Sequence, residues 1–312
     1  MMSLNPQPEP NAQIYEKSPK TQLSLSRTIQ VQNENFEIAS DWHLPMDRSV
    51  LDKMIATLKM YKHCDVFVCM GDIFDAGNCE DTSKFVSEFL TKLAEIYPAV
   101  LYSPGNHCIR SRDNPWLSFE LPQNVHMPIA EQPLIIQTEN NKILVGNCFY
   151  DLEFIDCTTV GFSEEMISDF YVKTNDGKSL LRGDVSLFKK MAVNLAKALT
   201  PDITMMVTHT LPHPALVNFR VPAMTDYHRE LALNLGIPFI CDLSKDSADA
   251  AIKHMSPEEL RTFWNLKSIV MGSNILNRPE ANPRDGLVAL YGHNHRGSEM
   301  NVNLFGVTGL YF

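Results

Sequence analysis

"DVFVCMGDIFD", residues 65–75, decides how the chain is read. An apolar run from Val66 to Met70 reads as a strand, and Gly71-Asp72 ends it abruptly. Upstream, "FEIAS" (36–40) is a second such run. Between them "DRSVLDKMIATLKMYK" (47–62) sets Val50, Leu51, Met54, Ile55 and Leu58 at helical spacing. Downstream, "DTSKFVSEFLTKLAEIY" (81–97) repeats the helical period, with Phe85, Phe89, Leu90 and Leu93 on one face and Asp81 placed as the N-cap. "AVLYS" (99–103) is a third strand. The order β-α-β-α-β predicts a parallel sheet with right-handed crossovers, hence an α/β fold.

The rest of the chain extends that frame. "PLIIQT" (133–138) and "KILVG" (142–146) flank "ENN", which predicts a hairpin. "VSLFKKMAVNLAKAL" (185–199) is an amphipathic helix, and "ITMMV" (203–207), "LVALY" (287–291) and "LFGVTGLYF" (304–312) are further strands. Residues 1–33 are polar and carry prolines at 6, 8, 10 and 19. They read as an N-terminal arm that adds one edge strand near "LSLSRTIQVQ" (23–32), ahead of one domain over 34–312. The long gap between strand signals at about 215–284 reads as an insertion or cap.

Composition narrows the functional classes. At 44% hydrophobic and 21% charged, the 312 residues can bury a full core. No run of about 18 apolar residues exists, so no membrane span is expected. The N-terminus lacks the apolar segment of a secretory signal. Seven cysteines without a CxxC pair fit reduced thiols and a cytoplasmic location better than a disulfide framework. The net charge of −10 argues against a broad basic surface, so long nucleic acid is not the expected partner. The oligomeric state is not legible.

Each strand signal runs into a polar tip: Asp41-Trp42-His43, Gly71-Asp72, Gly105-Asn106-His107, Thr208-His209, and Gly292-His293-Asn294-His295. In open α/β sheets the ligand crevice lies beyond the carboxyl ends of the strands, so tips spread over the chain can converge. Asp, His and Asn are oxygen and nitrogen ligands for borderline divalent metals. Glycines ahead of them allow unusual backbone angles and close approach. A lone Asp-x-His or Gly-Asp is commonplace and mostly structural. Five in order, each at a strand end, drawing on five of the ten histidines, are not.

The order D-x-H, GD-x-x-D, GNH, H, G-H-x-H resembles the calcineurin-like metallophosphoesterase superfamily, from about residue 35 to the C-terminus. "ILVGNCFYDLEF" (143–154), "ISDF" (167–170) and the helix before "VTHTLPHP" (207–214) resemble its small bacterial cytosolic branch. The resemblance implies a four-layer α/β/β/α sandwich of two mixed sheets, with a dinuclear metal site at the strand C-terminal ends. It further implies that Asp41, His43 and His295 hold one metal, that Asn106, His209 and His293 hold the other, and that Asp72 bridges them. Manganese is the expected metal, with iron(II), zinc or nickel as alternatives. A metal-bridging hydroxide would attack phosphorus, and His107 would act on the leaving oxygen as acid or charge stabiliser. Asp75 would orient a ligand without touching metal.

The resemblance therefore implies a hydrolase acting on a small phosphomonoester or phosphodiester. A nuclease, a cyclic-nucleotide phosphodiesterase and a non-catalytic metal-binding scaffold are the competing readings. Ala76 and Pro104 stand where the phosphoprotein-phosphatase branch has arginines, and Asp75 where purple acid phosphatases have a tyrosine. Cys108 replaces the acidic residue usual after GNH. Arg110 and Arg112 are candidates for holding a substrate phosphate. His213 either competes with His209 as ligand or touches substrate, and His209 is favoured as the ligand because it directly follows the strand. Trp42 either lines the pocket or packs on the sheet.

Overall fold

The computed structural model describes residues 12–14, 27–74, 79–105, 120–129, 132–147, 171–173, 179–181, 185–210, 212, 275–293, 302–304 and 307–311. Six strands form the first sheet in chain order: β1 (Ala12–Ile14), β2 (Arg27–Val31), β3 (Glu34–Ala39), β4 (Val66–Cys69), β5 (Ala99–Tyr102) and β6 (Val125–His126). β3 to β6 pair in parallel, and β1 and β2 pair antiparallel. The segment around "LSLSRTIQVQ" thus supplies β2 as an inner strand, and β1 lies outside it. Between β2 and β3, Gln32 (φ 47°) and Asn33 (φ 65°) make a two-residue turn whose left-handed residues match the strand twist.

The second sheet runs β13 (Val302–Leu304), β14 (Val307–Tyr311), β12 (Val288–Tyr291), β11 (Met205–Val207), β8 (Lys142–Val145), β7 (Leu134–Gln137). Its four inner strands are parallel, and antiparallel β13 and β7 close its two edges. "LFGVTGLYF", expected as one strand, spans two: it contributes to both β13 and β14, which pair antiparallel with Leu304 opposite Val307. β9 (Tyr171–Lys173) and β10 (Ser179–Leu181) pair antiparallel as a separate two-stranded sheet.

Alternation along the strands builds the layers. Phe36, Ile38, Val66, Val68, Met70 and Leu101 of the first sheet face Ile143, Val145, Met205, Val207, Val288 and Leu290 of the second, and all are buried in one cluster. Phe67, Cys69, Val100 and Tyr102 point the other way. They pack under α1 (Arg48–Met60) and α2 (Cys79–Ala94) through Leu51, Met54, Leu58, Phe89, Leu90 and Leu93. On the far side Gly146 abuts Leu195 of α3 (Val185–Ala198). The result is the expected four-layer α/β/β/α sandwich.

The Asp47 carboxylate accepts from the Ser49 and Val50 amides and caps α1. Asp81 is not a cap. α2 begins two residues earlier at Cys79, which puts Asp81 in the first turn, where the helix dipole favours an acid as much as the cap position does. Trp42 packs on the helix layer, edge-on to Phe89 at 5.9 Å between centroids. Most of the expected 215–284 insertion lies outside the described residues. Its end, 275–284, packs against the body: Ile275 and Arg278 are buried, and the Asn282 amide donates to the Leu199 carbonyl at 3.0 Å. Among the described residues no helix is long and apolar enough to cross a membrane.

Candidate metal centre

The strand ladders do not stop where the strands end. In the first sheet the Asp41 amide donates to the Gly71 carbonyl, His43 to Asp72 and Leu44 to Ile73, at 2.9–3.0 Å. Ser103 donates to Cys69 at 2.9 Å. In the second sheet the Gly292 amide donates to the His209 carbonyl at 2.9 Å. These bonds hold neighbouring tips side by side. Asp41 (φ 53°), His43 (φ 45°), Asp72 (φ 52°) and His293 (φ 72°) all lie in the left-handed region, uncommon for residues other than glycine. That conformation costs roughly 1–3 kcal/mol per residue and clusters at functional sites, where the surrounding structure imposes it.

Glycines make room at the same place. Gly71 itself has φ 83°, and a Cβ there would stand 2.3 Å from the Gly105 amide nitrogen. A Cβ on Gly105 would stand 2.1 Å from Asp72 Oδ1, and one on Gly292 would stand 2.4 Å from Asp41 Oδ2. So of the three glycines only Gly71 serves for its backbone angle. Gly105 and Gly292 serve for close approach to a carboxylate.

The two sheets meet here. The His293 amide donates to both Asp41 carboxylate oxygens at 2.9 Å, from the tip of β12 to the tip of β3. His209 Nδ1 contacts the Met70 carbonyl at 2.5 Å, from β11 to β4. Ser103 Oγ donates to the Gly146 carbonyl at 2.6 Å, from β5 to β8. Two donor groups result. One ligand atom from each of Asp41, His43 and Asp72 lies within 4.8 Å of the others, and so do atoms from Asp72, His209 and His293. Asp72 belongs to both. It and His209 are wholly buried, with His209 Nε2 3.1 Å from Asp72 Oδ2, and the His43 Nε2 distance to that oxygen is 3.9 Å. The His209 and His293 rings meet edge-on at 5.2 Å.

Electrostatics match a cation site. Burial alone would push His209 down, but the charge and hydrogen bond of Asp72, the charge of Asp41 and the Met70 carbonyl outweigh it, and its pKa rises to about 9. With Nδ1 turned to a carbonyl, Nε2 faces the carboxylates: it carries a proton when metal-free and offers a lone pair once that proton leaves. One buried and one half-buried carboxylate, interleaved with three imidazoles, make a donor set suited to borderline divalent ions.

Of the residues singled out by sequence, Asp41, His43, Asp72, His209 and His293 come together. Asn106, His107, His295, Asp75, Cys108, Arg110, Arg112 and His213 lie outside the described residues. Two residues of this region belong to none of the five motifs. Ser40 directly precedes Asp41 and is buried. Asn147 follows Gly146 at the tip of β8, is 5% exposed, and lies beside the β11 tip, because Val145 pairs with Val207. "VGN" repeats the Gly-Asn of "PGN" at a sixth strand end, and that was the available signal.

Comparison with known proteins points to a family. The family model described as calcineurin-like phosphoesterase matches residues 36–297. No curated protein matches. Among solved structures, a phosphopantetheinyl hydrolase from Mycobacterium tuberculosis is similar at 13% identity and a TM-score of 0.46, covering 88% of this chain and 87% of its own.

Proposed function

The chain belongs to the calcineurin-like phosphoesterase family of metal-dependent phosphoester hydrolases, and on that premise we propose that it hydrolyses a small phosphomonoester or phosphodiester at the tips between its two sheets. The observation that carries this reading is the sharing of buried Asp72 between two donor groups. A carboxylate common to two clusters suits a pair of cations about 3.5–4 Å apart. Asp41, His43 and His295 would hold one ion, Asn106, His209 and His293 the other, and Asp72 would touch both. When bound, such a pair supplies Lewis acidity toward a phosphoryl oxygen and makes hydroxide available near neutral pH.

The chain's own residues do the rest. The His293 amide fixes the Asp41 carboxylate, and the Met70 carbonyl fixes the His209 ring. Gly105, which precedes Asn106 and His107 in sequence, leaves the Asp72 carboxylate room beside the tip of β5. His107 would then give a proton to the leaving oxygen. Arg110 is the candidate for a second hold on the phosphate, as its planar fork matches phosphate oxygens. Manganese and a cytoplasmic setting remain part of the proposal.

The test is a substrate panel with metal content measured on the same sample. Manganese-loaded protein should turn over p-nitrophenyl phosphate or its bis ester. Absence of turnover of either, with two equivalents of metal bound, would sink the hydrolase reading of this chain and leave a metal-binding scaffold.

A further inference from the structure

The tips of the two sheets meet in three pairs. β12 meets β3 through the His293 amide and Asp41, and β11 meets β4 through His209 and the Met70 carbonyl. β8 meets β5 through Ser103 Oγ, wholly buried, and the Gly146 carbonyl. The first two pairs carry Asp41, His43, Asp72, His209 and His293. Among the described residues the third pair carries no member of either donor group. It carries Asn147, which no part of the reaction above uses. The Gly146 carbonyl held by Ser103 belongs to the peptide bond that leads into Asn147. Two residues beyond Ser103, the space a Cβ on Gly105 would need is taken by Asp72 Oδ1. The β5 tip facing β8 therefore borders the carboxylate common to both donor groups.

The ladder fixes which way Asn147 faces. The Gly146 amide donates to the Val207 carbonyl at 2.9 Å, so β8 and β11 stay paired past the strand end. Val145 stands opposite Val207, which sets Gly146 beside Thr208 and Asn147 beside His209. Side chains alternate between the two faces of a sheet. Val145 and Val207 face the first sheet. A Cβ on Gly146 would meet Leu195 of α3 and the Thr208 methyl, so that pair faces the helix. The next pair turns back to the first sheet, and His209 does so, reaching the Met70 carbonyl and Asp72. Asn147 is set on the same face as its lateral neighbour, 5% exposed and with Oδ1 buried. We propose that Asn147 is a substrate-contacting residue, its side-chain amide donating a hydrogen bond to an oxygen of the phosphoryl group. This rests on the phosphoester reading above and adds one group to it. An asparagine amide supplies two hydrogens and no charge. A lysine or arginine there would be repelled by paired cations, and a carboxylate would repel the phosphate. A neutral donor held in place by its strand avoids both costs, and preorganised donors of this kind stabilise developing phosphoryl charge.

The test is calorimetric titration of manganese-loaded protein with inorganic phosphate, with metal content measured on the same samples. Wild type should bind phosphate with two equivalents of manganese in place. Asn147→Ala should keep both equivalents and bind phosphate about 10–100-fold more weakly, the usual effect of losing a hydrogen bond to a charged group. Asn147→Asp keeps the shape but replaces the donor with an anion. It should also keep both equivalents and bind phosphate more weakly than the alanine variant. If the alanine variant does not fold, the near-isosteric aspartate variant carries the test alone. In each variant kcat/KM for p-nitrophenyl phosphate should fall with phosphate affinity. Unchanged phosphate affinity in either variant would overturn the proposal. So would loss of a manganese equivalent from Asn147→Ala, or tighter manganese binding by Asn147→Asp, since either makes Asn147 part of the metal site instead. A wild type that holds two equivalents and neither binds phosphate nor cleaves the ester defeats the phosphoester reading itself, so the two failures are told apart.

Discussion

At Asp72 a single carboxylate serves two donor groups at zero exposure. Asp72→Asn keeps the shape and a residue type that tolerates φ 52°, but removes the charge. It should abolish binding of both manganese equivalents in a titration while the metal-free fold melts cooperatively. Loss of only one equivalent would mean that Asp72 does not bridge. His209 sets the pH dependence. Its pKa is raised from the usual imidazole value to about 9, so the metal-free fold keeps the proton below about 9, while the unfolded chain releases it near 6.5. This contribution to metal-free stability is complete below about 6.5 and is lost as pH rises through about 9. Metal must displace the same proton. Affinity should therefore rise about tenfold per pH unit up to pH 9 and then level off, with about one proton released per protein in calorimetry across several buffers. A flat profile between pH 7 and 9 would remove His209 from the ligands.

Strand ends, rather than strands, carry the candidate ligands, and their close approach depends on glycine. Gly105→Ala and Gly292→Ala would thrust a methyl to about 2 Å from Asp72 Oδ1 and Ser40 Oγ respectively. Both should lower manganese affinity by roughly 10–100-fold, with a smaller change in melting temperature than a core truncation produces. The same elements show what the sequence makes legible. Short apolar runs and helical spacing located β3, β4, β5, β11, β12, α1, α2 and α3, because each buries a face whose period is written in the residues. β1 and β6 are three and two residues long, too short for any period to show. The division of "LFGVTGLYF" between β13 and β14 was not legible either, because its apolar residues run on without a polar break. Five metal-site candidates were legible because their residue types are rare at strand ends. Ser40 was not, since a serine before an aspartate carries no signal until the opposite sheet is seen against it.

Across the whole molecule, the two sheets are tied at both ends of their shared apolar cluster. The candidate metal centre is one tie. At the other end Asn141 Nδ2 donates to the Val31 carbonyl and to Glu34, both at 3.0 Å, and Thr204 Oγ1 donates to Asn141 Oδ1 at 3.0 Å. Asn141 is wholly buried, so truncating it strands several polar partners. Asn141→Ala should cost about 1–3 kcal/mol in a urea melt and leave the manganese titration unchanged. A matching fall in metal affinity would show that the two ends are coupled through the sheets.

The left-handed backbone at Asp41, His43, Asp72 and His293 also limits which replacements these positions accept. Aspartate, asparagine and histidine are the non-glycine residues that enter this conformation most readily, and they are also metal ligands. The chemical alphabet and the conformational alphabet coincide at these four points. A saturation library there should split by shape rather than by charge. Asp41→Asn and Asp41→Gly should fold nearly as well as the parent when metal-free, whereas Asp41→Val should lose soluble expression. The vocabulary open to drift at these sites is short, and a descendant that abandoned catalysis would still be spelled with the letters of a metal site.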